Sequence, residues 1–273
     1  NYSSFPRESP DGTKLIYGSD GHYYIYDIPT GQSRNITEGM PVSFINIEDD
    51  HNIEKPLYGA LGWSSDSKYV LLRDGWDIWQ VPAIASKETP INLTVNGKSD
   101  QIRYQYRFGL DPEEKGIDLS KPAYIRMYAE WTKKSGIAQL SPAKKGGLTP
   151  GAKVLIWDDF NVGNLSKAKN AETYYFFQEK FNEPTQVYLT DASLTNPQQV
   201  TNNAPDADKY AWSEGTMLVD YVSDMGDKLQ GTLFLPAGYV EGQKYPTVVY
   251  YYEKLSQTRH NWSNPGYSGT GWN

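Results

Sequence analysis

The sequence predicts a mainly β protein: a partial β-propeller of about four blades, followed by the first strands of a different domain. Three observations lead to this prediction. Aromatic residues, which favour strands, make up 14% of the 273 residues. The 24 glycines and 17 prolines supply frequent turn signals. The third observation is an internal repeat of strand and turn patterns, which is typical of propeller blades.

Three segments of the chain share the repeated pattern. Each begins with a small polar turn, continues through two apolar strands, and ends with an apolar residue followed by threonine. These segments are residues 9–37, 64–94 and 166–201. Equivalent positions in their second strands are marked by Ile25, Ile78 and Val187. The gap between the last two is about twice the gap between the first two, so we expect a further unit within residues 102–158.

The turns that open the repeats have a physical explanation. Pro10 restricts φ, and Asp11 with Gly12 supplies the positive φ of a tight turn before a strand. Residues 63–72 and 210–219 repeat this arrangement, and the last copy indicates the first strands of a fifth unit. A β-sandwich is the alternative fold, but it gives no reason for internal self-similarity.

Composition excludes several classes of function. The formal net charge of −7 argues against a sequence-independent nucleic-acid binder. No stretch approaches the ~20 apolar residues that a membrane helix needs. The absence of cysteine excludes a disulfide framework, a thiolate zinc site and a cysteine nucleophile. We therefore expect no nucleic-acid partner, no transmembrane segment, no metal site and no cofactor.

The repeat pattern ends near Gly231, and the chain also begins inside a repeat, so we expect it to be part of a longer protein. Residues 244–252 form a continuous apolar and aromatic run after Tyr245-Pro246, which is typical of a strand covered on both faces. The sequence therefore predicts two domains, with propeller blades in residues 1–227 and an incomplete second domain in residues 228–273.

The junction between these two domains carries a family resemblance. The pattern G-x-L-x-x-P from Gly231 to Pro236, a polar loop, and K-Y-P-x-V-V from Lys244 to Val249 resemble the prolyl oligopeptidase family of serine peptidases. The nearest branches are the dipeptidyl-peptidase-like and acylaminoacyl-peptidase-like ones. The resemblance implies that the second domain is the start of an α/β-hydrolase domain, whose Ser–Asp–His triad hydrolyses short peptides while the propeller limits access.

Further expectations follow from this resemblance. The substrate of the protein would be a short peptide, with cleavage after proline as one specificity. The main partner of this chain would be the remainder of the peptidase chain. The resemblance is compatible with a homodimer and does not require one. The resemblance favours a periplasmic or cell-envelope location, with the cytoplasm as the alternative. The rival function is a non-catalytic propeller that binds a protein or peptide.

Tyr252 is the one candidate catalytic residue in the chain. It falls where dipeptidyl-peptidase-like members place a tyrosine whose hydroxyl helps to form the oxyanion hole. The alternative is one more aromatic residue of a tyrosine-rich strand. This chain continues with Glu253-Lys254-Leu255, where the family often has a Gly-Gly-Pro-like loop.

The nucleophile and base of a hydrolase are not evident in the sequence. The nearest match to the G-x-S-x-G nucleophile elbow surrounds Ser268, but its glycines are displaced by one position and no buried strand precedes it. The three histidines His22, His51 and His260 lie in turn-like or polar contexts without spaced Ser and Asp partners. The triad is therefore expected beyond Asn273, and this chain alone is expected to be inactive.

Other candidate groups are interpreted as structural. Glu113 and Glu114 are predicted to lie in a solvated hairpin loop instead of clamping a peptide amino terminus. The acidic groups at 48–50 and 158–159 lack the alternating spacing of a calcium loop and are predicted to be loop charges. The sequons that begin at Asn35, Asn92 and Asn164 are interpreted as repeat ends. Blade packing is predicted for the tryptophans Trp76, Trp79, Trp131 and Trp157.

Overall fold

The computed structural model describes residues 2–252 and 254–264. The strands in this part of the chain are β1 (Tyr2–Glu8), β2 (Lys14–Ser19), β3 (His22–Asp27), β4 (Gln32–Asn35), β5 (Gly62–Trp63), β6 (Tyr69–Arg73), β7 (Ile78–Pro82), β8 (Ile91–Asn92), β9 (Ile102–Arg107), β10 (Ala123–Ala129), β11 (Ser135–Leu140), β12 (Lys153–Asp158), β13 (Asn161–Lys167), β14 (Tyr174–Lys180), β15 (Glu183–Thr190), β16 (Gln198–Gln199), β17 (Thr216–Val222) and β18 (Lys228–Phe234). The helices are short: α1 (Gly97–Asp100) and two 3-10 turns at Ala207–Lys209 and Ser256–Thr258.

The strands form open sheets in the order of the sequence. Four sheets have four strands each, ordered β1-β2-β3-β4, β5-β6-β7-β8, β9-β10-β11-β12 and β13-β14-β15-β16. This arrangement confirms the prediction of a mainly β chain with about four blades, since each blade of a propeller uses four successive strands. The third sheet lies within residues 102–158, where the hidden unit was expected. The strands β17 and β18 form a separate hairpin.

The chain divides into two compact units. The first contains residues 1–128 and 137–154, and the second contains residues 129–136 and those from 155 onward. In the first unit, apolar side chains of the first two sheets form a continuous core that includes Ile16, Val70 and Leu72. Among the described residues, no helix is long and apolar enough to cross a membrane.

The first two blades begin with the same hydrogen-bonded turn. In the first, the Ser9 hydroxyl donates to Asp11 at 2.6 Å, and the Lys14 amide donates to the Ser9 hydroxyl at 3.0 Å. In the second, Ser64 donates to Asp66 at 2.6 Å, and the Tyr69 amide donates to Ser64 at 2.9 Å. The shared geometry explains why a serine and an aspartate recur two residues apart.

The predicted third copy of this turn differs from the first two. At Ser213 the residue two positions later is Gly215, which has no carboxylate. The Ser213 hydroxyl instead donates to the backbone carbonyl of Leu235 at 2.6 Å, after β18. It therefore ties the two ends of the β17–β18 hairpin together.

The threonines that end the repeats are hydrogen-bonded to the second strand of each pattern. The hydroxyl oxygens of Thr37, Thr94 and Thr201 accept the amides of Tyr23, Ile78 and Val187 at 3.0, 3.1 and 2.9 Å, respectively. The residue that corresponds to Ile78 and Val187 is therefore Tyr23, and the choice of Ile25 was wrong by two positions. Side chains two residues apart in a strand share a face, so the hydrophobic pattern could not distinguish them.

The strand predicted at residues 244–252 is not formed. Residues 243–251 have no regular secondary structure, and the side chains of residues 248–252 are between 72% and 87% exposed. A strand of this composition needs hydrogen-bonding neighbours at its edges and apolar cover on its faces. Neither is supplied by the described residues. Residues 248–252, Val-Val-Tyr-Tyr-Tyr, are called the 248–252 run below.

The hairpin β17–β18 precedes this run. Its strands pair in antiparallel register at seven positions, from Thr216 opposite Phe234 to Val222 opposite Lys228. The domain boundary predicted after residue 227 falls at the turn of this hairpin. One face of the hairpin is apolar and exposed.

Candidate functional site

A polar cleft of about 520 Å³ lies in the second unit and is called the Asp159 cleft. It is formed by the turn between β12 and β13, the turn between β14 and β15, the start of β17, and the segment after the 3-10 turn at Ser256–Thr258. Its ionisable lining residues are Asp158, Asp159, Lys180, Glu183, Glu214, Arg259 and His260. Both signs of charge are therefore present in one concave site.

The carboxylate of Asp159 contacts two neighbouring side chains. Its Oδ2 accepts a hydrogen bond from Arg259 Nη2 at 3.2 Å, and its Oδ1 lies 3.1 Å from Nε2 of His260. Both partners are almost fully buried, whereas Asp159 is about half exposed, at 49% of its side-chain area. Asp159 lies in the turn between β12 and β13, as a predicted loop charge should, but it has two side-chain partners.

His260 is held in its neutral form by its surroundings. Burial is the largest cause that lowers its pKa below the ordinary value of 6.5, and the charge of Arg259 lowers it further, while Asp159 acts in the opposite direction. Since a carboxylate can only accept, Nε2 carries the hydrogen in the pair with Asp159.

Arg259 connects the segment after the 248–252 run to the hairpin. Its Nε donates to the Thr216 hydroxyl at 3.2 Å, in addition to the bond with Asp159. Nearby, the rings of Trp212 and Trp262 pack with their centroids 5.1 Å apart. These contacts fix residues 255–262 within the second unit, although the run immediately before them is exposed.

The Asp159 cleft contains a carboxylate–imidazole pair, Asp159 with His260, but no serine bonded to it among the described residues. In a Ser–His–Asp triad, one imidazole nitrogen binds the carboxylate and the other faces the nucleophile. In the part of the chain that the structure describes, no serine hydroxyl is hydrogen-bonded to His260. This geometry supports ion pairing and binding of polar groups, and it does not by itself support nucleophilic catalysis.

The predicted site residue Tyr252 lies outside this cleft. Its side chain is 78% exposed and is not one of the lining residues. Its role in an oxyanion hole therefore stays a prediction. Ser268 and the glycines around it lie outside the described residues.

The other two histidines make local contacts. His22 Nδ1 lies 3.1 Å from the Thr37 hydroxyl, and His51 Nδ1 lies 2.9 Å from Asp49. Neither contact joins a serine and a carboxylate to one histidine. Only His260 departs from the sequence interpretation, because its carboxylate partner is 101 residues away. No local pattern could have shown that pair.

Two of the acidic side chains that were predicted to lie in loops form ion pairs. Glu114 forms an ion pair with Arg107, although its loop position was predicted correctly. Glu48 lies 2.6 Å from Arg103. Where the structure describes the chain, no group of three or more His, Cys, Asp or Glu side chains could hold a metal ion.

The sequons at two repeat ends have a structural role. The side-chain oxygen of Asn35 accepts the Thr37 and Glu38 amides, at 3.0 and 2.9 Å. Asn92 does the same for Thr94 and Val95, at 3.1 and 2.9 Å. These asparagines therefore cap the turn that ends each blade, in agreement with their interpretation as repeat ends.

Comparisons with known proteins give distant similarities only. No family model and no curated protein matches the sequence. Among solved structures, the chain is similar to an AtxE2 isopeptidase variant with bound Astexin3-dC4, at 12% identity and a TM-score of 0.42, over 82% of this chain and 31% of that one. It is also similar to a puromycin hydrolase mutant complexed with PGG, at 12% identity and a TM-score of 0.45, over 84% and 33%.

A third similar structure is a TolB candidate from Agrobacterium tumefaciens, at 15% identity and a TM-score of 0.39, over 85% of this chain and 82% of that chain. The chain spans about a third of the length of the isopeptidase and hydrolase chains.

Proposed function

We propose that this chain is the propeller and domain-junction part of a serine peptidase that hydrolyses short peptides. The observation that carries the proposal is the exposure of the 248–252 run, which directly follows the K-Y-P motif. Five consecutive apolar or aromatic residues in water are unfavourable, and such runs occur in strands buried within a sheet. The run therefore supports a further domain whose sheet would cover it.

The hairpin β17–β18 adds a second apolar surface. Met217, Val219 and Tyr221 lie on one face of β17, and Leu233 and Leu229 lie opposite Met217 and Tyr221 on β18. All five side chains are exposed. Because these five apolar side chains share one face of the hairpin, the face is suited to pack against another layer of structure.

The blades would then act as a filter for the substrate. The described residues contain no complete triad, so the nucleophile, its base and the orienting acid would come from the further domain. The propeller would limit substrates to short peptides, with cleavage after proline as the first specificity to test. We also propose a periplasmic or cell-envelope location, which fractionation of the source cells would test.

A serine-directed probe distinguishes this proposal from its rival. The full-length gene product would be treated with a fluorophosphonate probe, with and without prior heat denaturation. We expect one covalently labelled serine in the native protein and none after denaturation, since labelling needs an activated nucleophile. A native protein that stays unlabelled, and that binds peptides without hydrolysing them, would support the non-catalytic propeller instead.

The role of Tyr252 is tested by replacing its hydroxyl. In the full-length protein, Tyr252→Phe is expected to lower kcat for a chromogenic peptide by about a hundred-fold with little change in KM, since an oxyanion donor acts in the transition state. Tyr251→Phe is the matched control, because it removes the neighbouring hydroxyl from the same exposed run. Equal effects of the two substitutions would contradict the assignment.

A further inference from the structure

Three arginines come together in the first unit although the chain as a whole is acidic. Arg7 is in β1, Arg73 ends β6, and Arg103 is in β9, so they belong to the first, second and third sheets. We call these three residues the arginine cluster.

Arg73 is half-buried and lacks a carboxylate partner. Its Nη1 donates to the backbone carbonyl of Gln105 at 2.9 Å, and its guanidinium lies over the ring of Tyr58, 5.4 Å from the centroid. No ion pair with Arg73 occurs among the described residues. Burial is the main cause that lowers its pKa, and the charge of Arg103 lowers it further. Gln105 lies two residues after Arg103 in β9, so Arg73 contacts the strand that carries Arg103.

Arg103 shows that a carboxylate fits this environment. Its guanidinium packs over the ring of Trp76, 4.2 Å from the centroid, which fixes the plane of the fork. Its Nη2 then meets the Glu48 carboxylate at 2.6 Å. Glu48 is an example, within this chain, of the chemistry that the cluster accepts.

Arg7 adds a third positive charge at an exposed position. Its Nη1 donates to the backbone carbonyl of Ala60 at 3.0 Å, and no ion pair with Arg7 occurs within the described residues. The buried hydroxyl of Tyr23 has a pKa raised to about 12 by burial, which Arg7 and Arg73 both oppose. The Tyr23 hydroxyl also donates to the backbone carbonyl of Tyr58, whose ring lies beneath Arg73. Ala60, which accepts the hydrogen bond from Arg7, is two residues further along the same segment.

We propose that Arg7, Arg73 and Arg103 form a binding site for an oxyanion, namely the carboxylate or phosphate group of a small ligand. Guanidinium groups bind both anions through paired N–H donors. Two of the three arginines lack an acidic partner, and a half-buried unpaired charge is unfavourable until an anion neutralises it. The proposal does not depend on peptidase activity.

Direct titration tests the site. Isothermal titration calorimetry on the full-length protein at low ionic strength would use three probes: an N-acetyl dipeptide with a free carboxylate, its C-terminal amide, and inorganic phosphate. We expect the acid or phosphate to bind and the amide not to bind. Tighter binding of the acid identifies a carboxylate ligand, and tighter binding of phosphate identifies a phosphate-bearing ligand.

Two variants and a matched control make the result specific. Arg73→Gln is expected to weaken binding by about ten-fold or more, since a charge-assisted hydrogen bond is lost. Arg7→Gln, at the exposed position, provides the same test if Arg73→Gln fails to fold. Lys68→Gln removes one positive charge from an exposed side chain and should leave affinity unchanged. Absence of binding by the acid and phosphate, or wild-type affinity in both arginine variants, would overturn the proposal.

Discussion

Two apolar runs of similar composition have opposite environments in this chain. In β6, Val70, Leu71 and Leu72 are completely buried, because strands pair with both edges of β6 and side chains cover its faces. The 248–252 run has no strand partners among the described residues and is exposed along its whole length. The comparison shows that an apolar run specifies burial only when the chain also supplies its neighbours.

The largest expected effect is the difference in the free energy of unfolding between side-chain truncations in these two runs. Leu72→Ala should lower the free energy of unfolding by about 2–5 kcal/mol, because it leaves a cavity in a packed core. Val249→Ala in the 248–252 run should change it by less than about 0.5 kcal/mol. Urea denaturation followed by tryptophan fluorescence measures both values. Similar losses would mean that the run is buried in solution.

A smaller effect is expected at the blade ends. Thr94 is buried, donates its hydroxyl hydrogen to Asp77 at 2.5 Å, and accepts the Ile78 amide. Thr94→Val would leave the Ile78 amide unsatisfied and remove one hydrogen bond to Asp77, whose Oδ1 still accepts the Gly97 amide. It should lower the free energy of unfolding by about 1–3 kcal/mol in denaturation experiments. The partly exposed Thr201 accepts the equivalent amide of Val187, so Thr201→Val should cost less. A larger loss of stability in Thr201→Val than in Thr94→Val would contradict the expectation that burial increases the cost.

Acid should reduce the structural protection of residues 255–262, which His260 anchors, but not that of the 248–252 run, which is already exposed. Because the pKa of His260 is lower in the folded state than its ordinary 6.5, the unfolded chain binds more protons as the pH falls below that value. The stability contribution of neutral His260 is therefore complete above about pH 6.5 and decreases as the pH falls toward the folded pKa.

Hydrogen exchange of residues 255–262, corrected for intrinsic rates, would measure this loss of protection on acidification. His260→Gln should make protection nearly independent of pH over the same window. His51→Gln, in the first unit, should leave the wild-type dependence intact. An unchanged pH dependence in His260→Gln would show that another group controls the segment.

The smallest effect on stability is expected from adding charge to the 248–252 run. Val249→Glu should leave the unfolding free energy of the 273-residue chain nearly unchanged, because the side chain is already in water. It should nevertheless reduce self-association in sedimentation velocity, since exposed apolar strands promote association. Met225→Glu, at another exposed apolar position outside the run, is the control. Equal association of the variant and the wild type would exclude the run as the cause.

Features with local partners could be predicted from the sequence. The turns at Ser9 and Ser64 depend on groups two to five residues apart, so their recurrence indicated blades and their number. The blade ends were also recognised, but the alignment on Ile25 instead of Tyr23 was wrong. A shift of two residues keeps every side chain on the same face, so periodicity leaves that register open.

The sequence by itself therefore determined the class of fold and the approximate number of blades, because strand periodicity and turn chemistry are local properties. Only the tertiary structure decided that Asp159 pairs with His260, that Arg7, Arg73 and Arg103 from three sheets share one environment, and that the 248–252 run is exposed. Charge pairing and burial depend on distances in space between residues far apart in the chain, and such distances leave no periodic signal in the sequence.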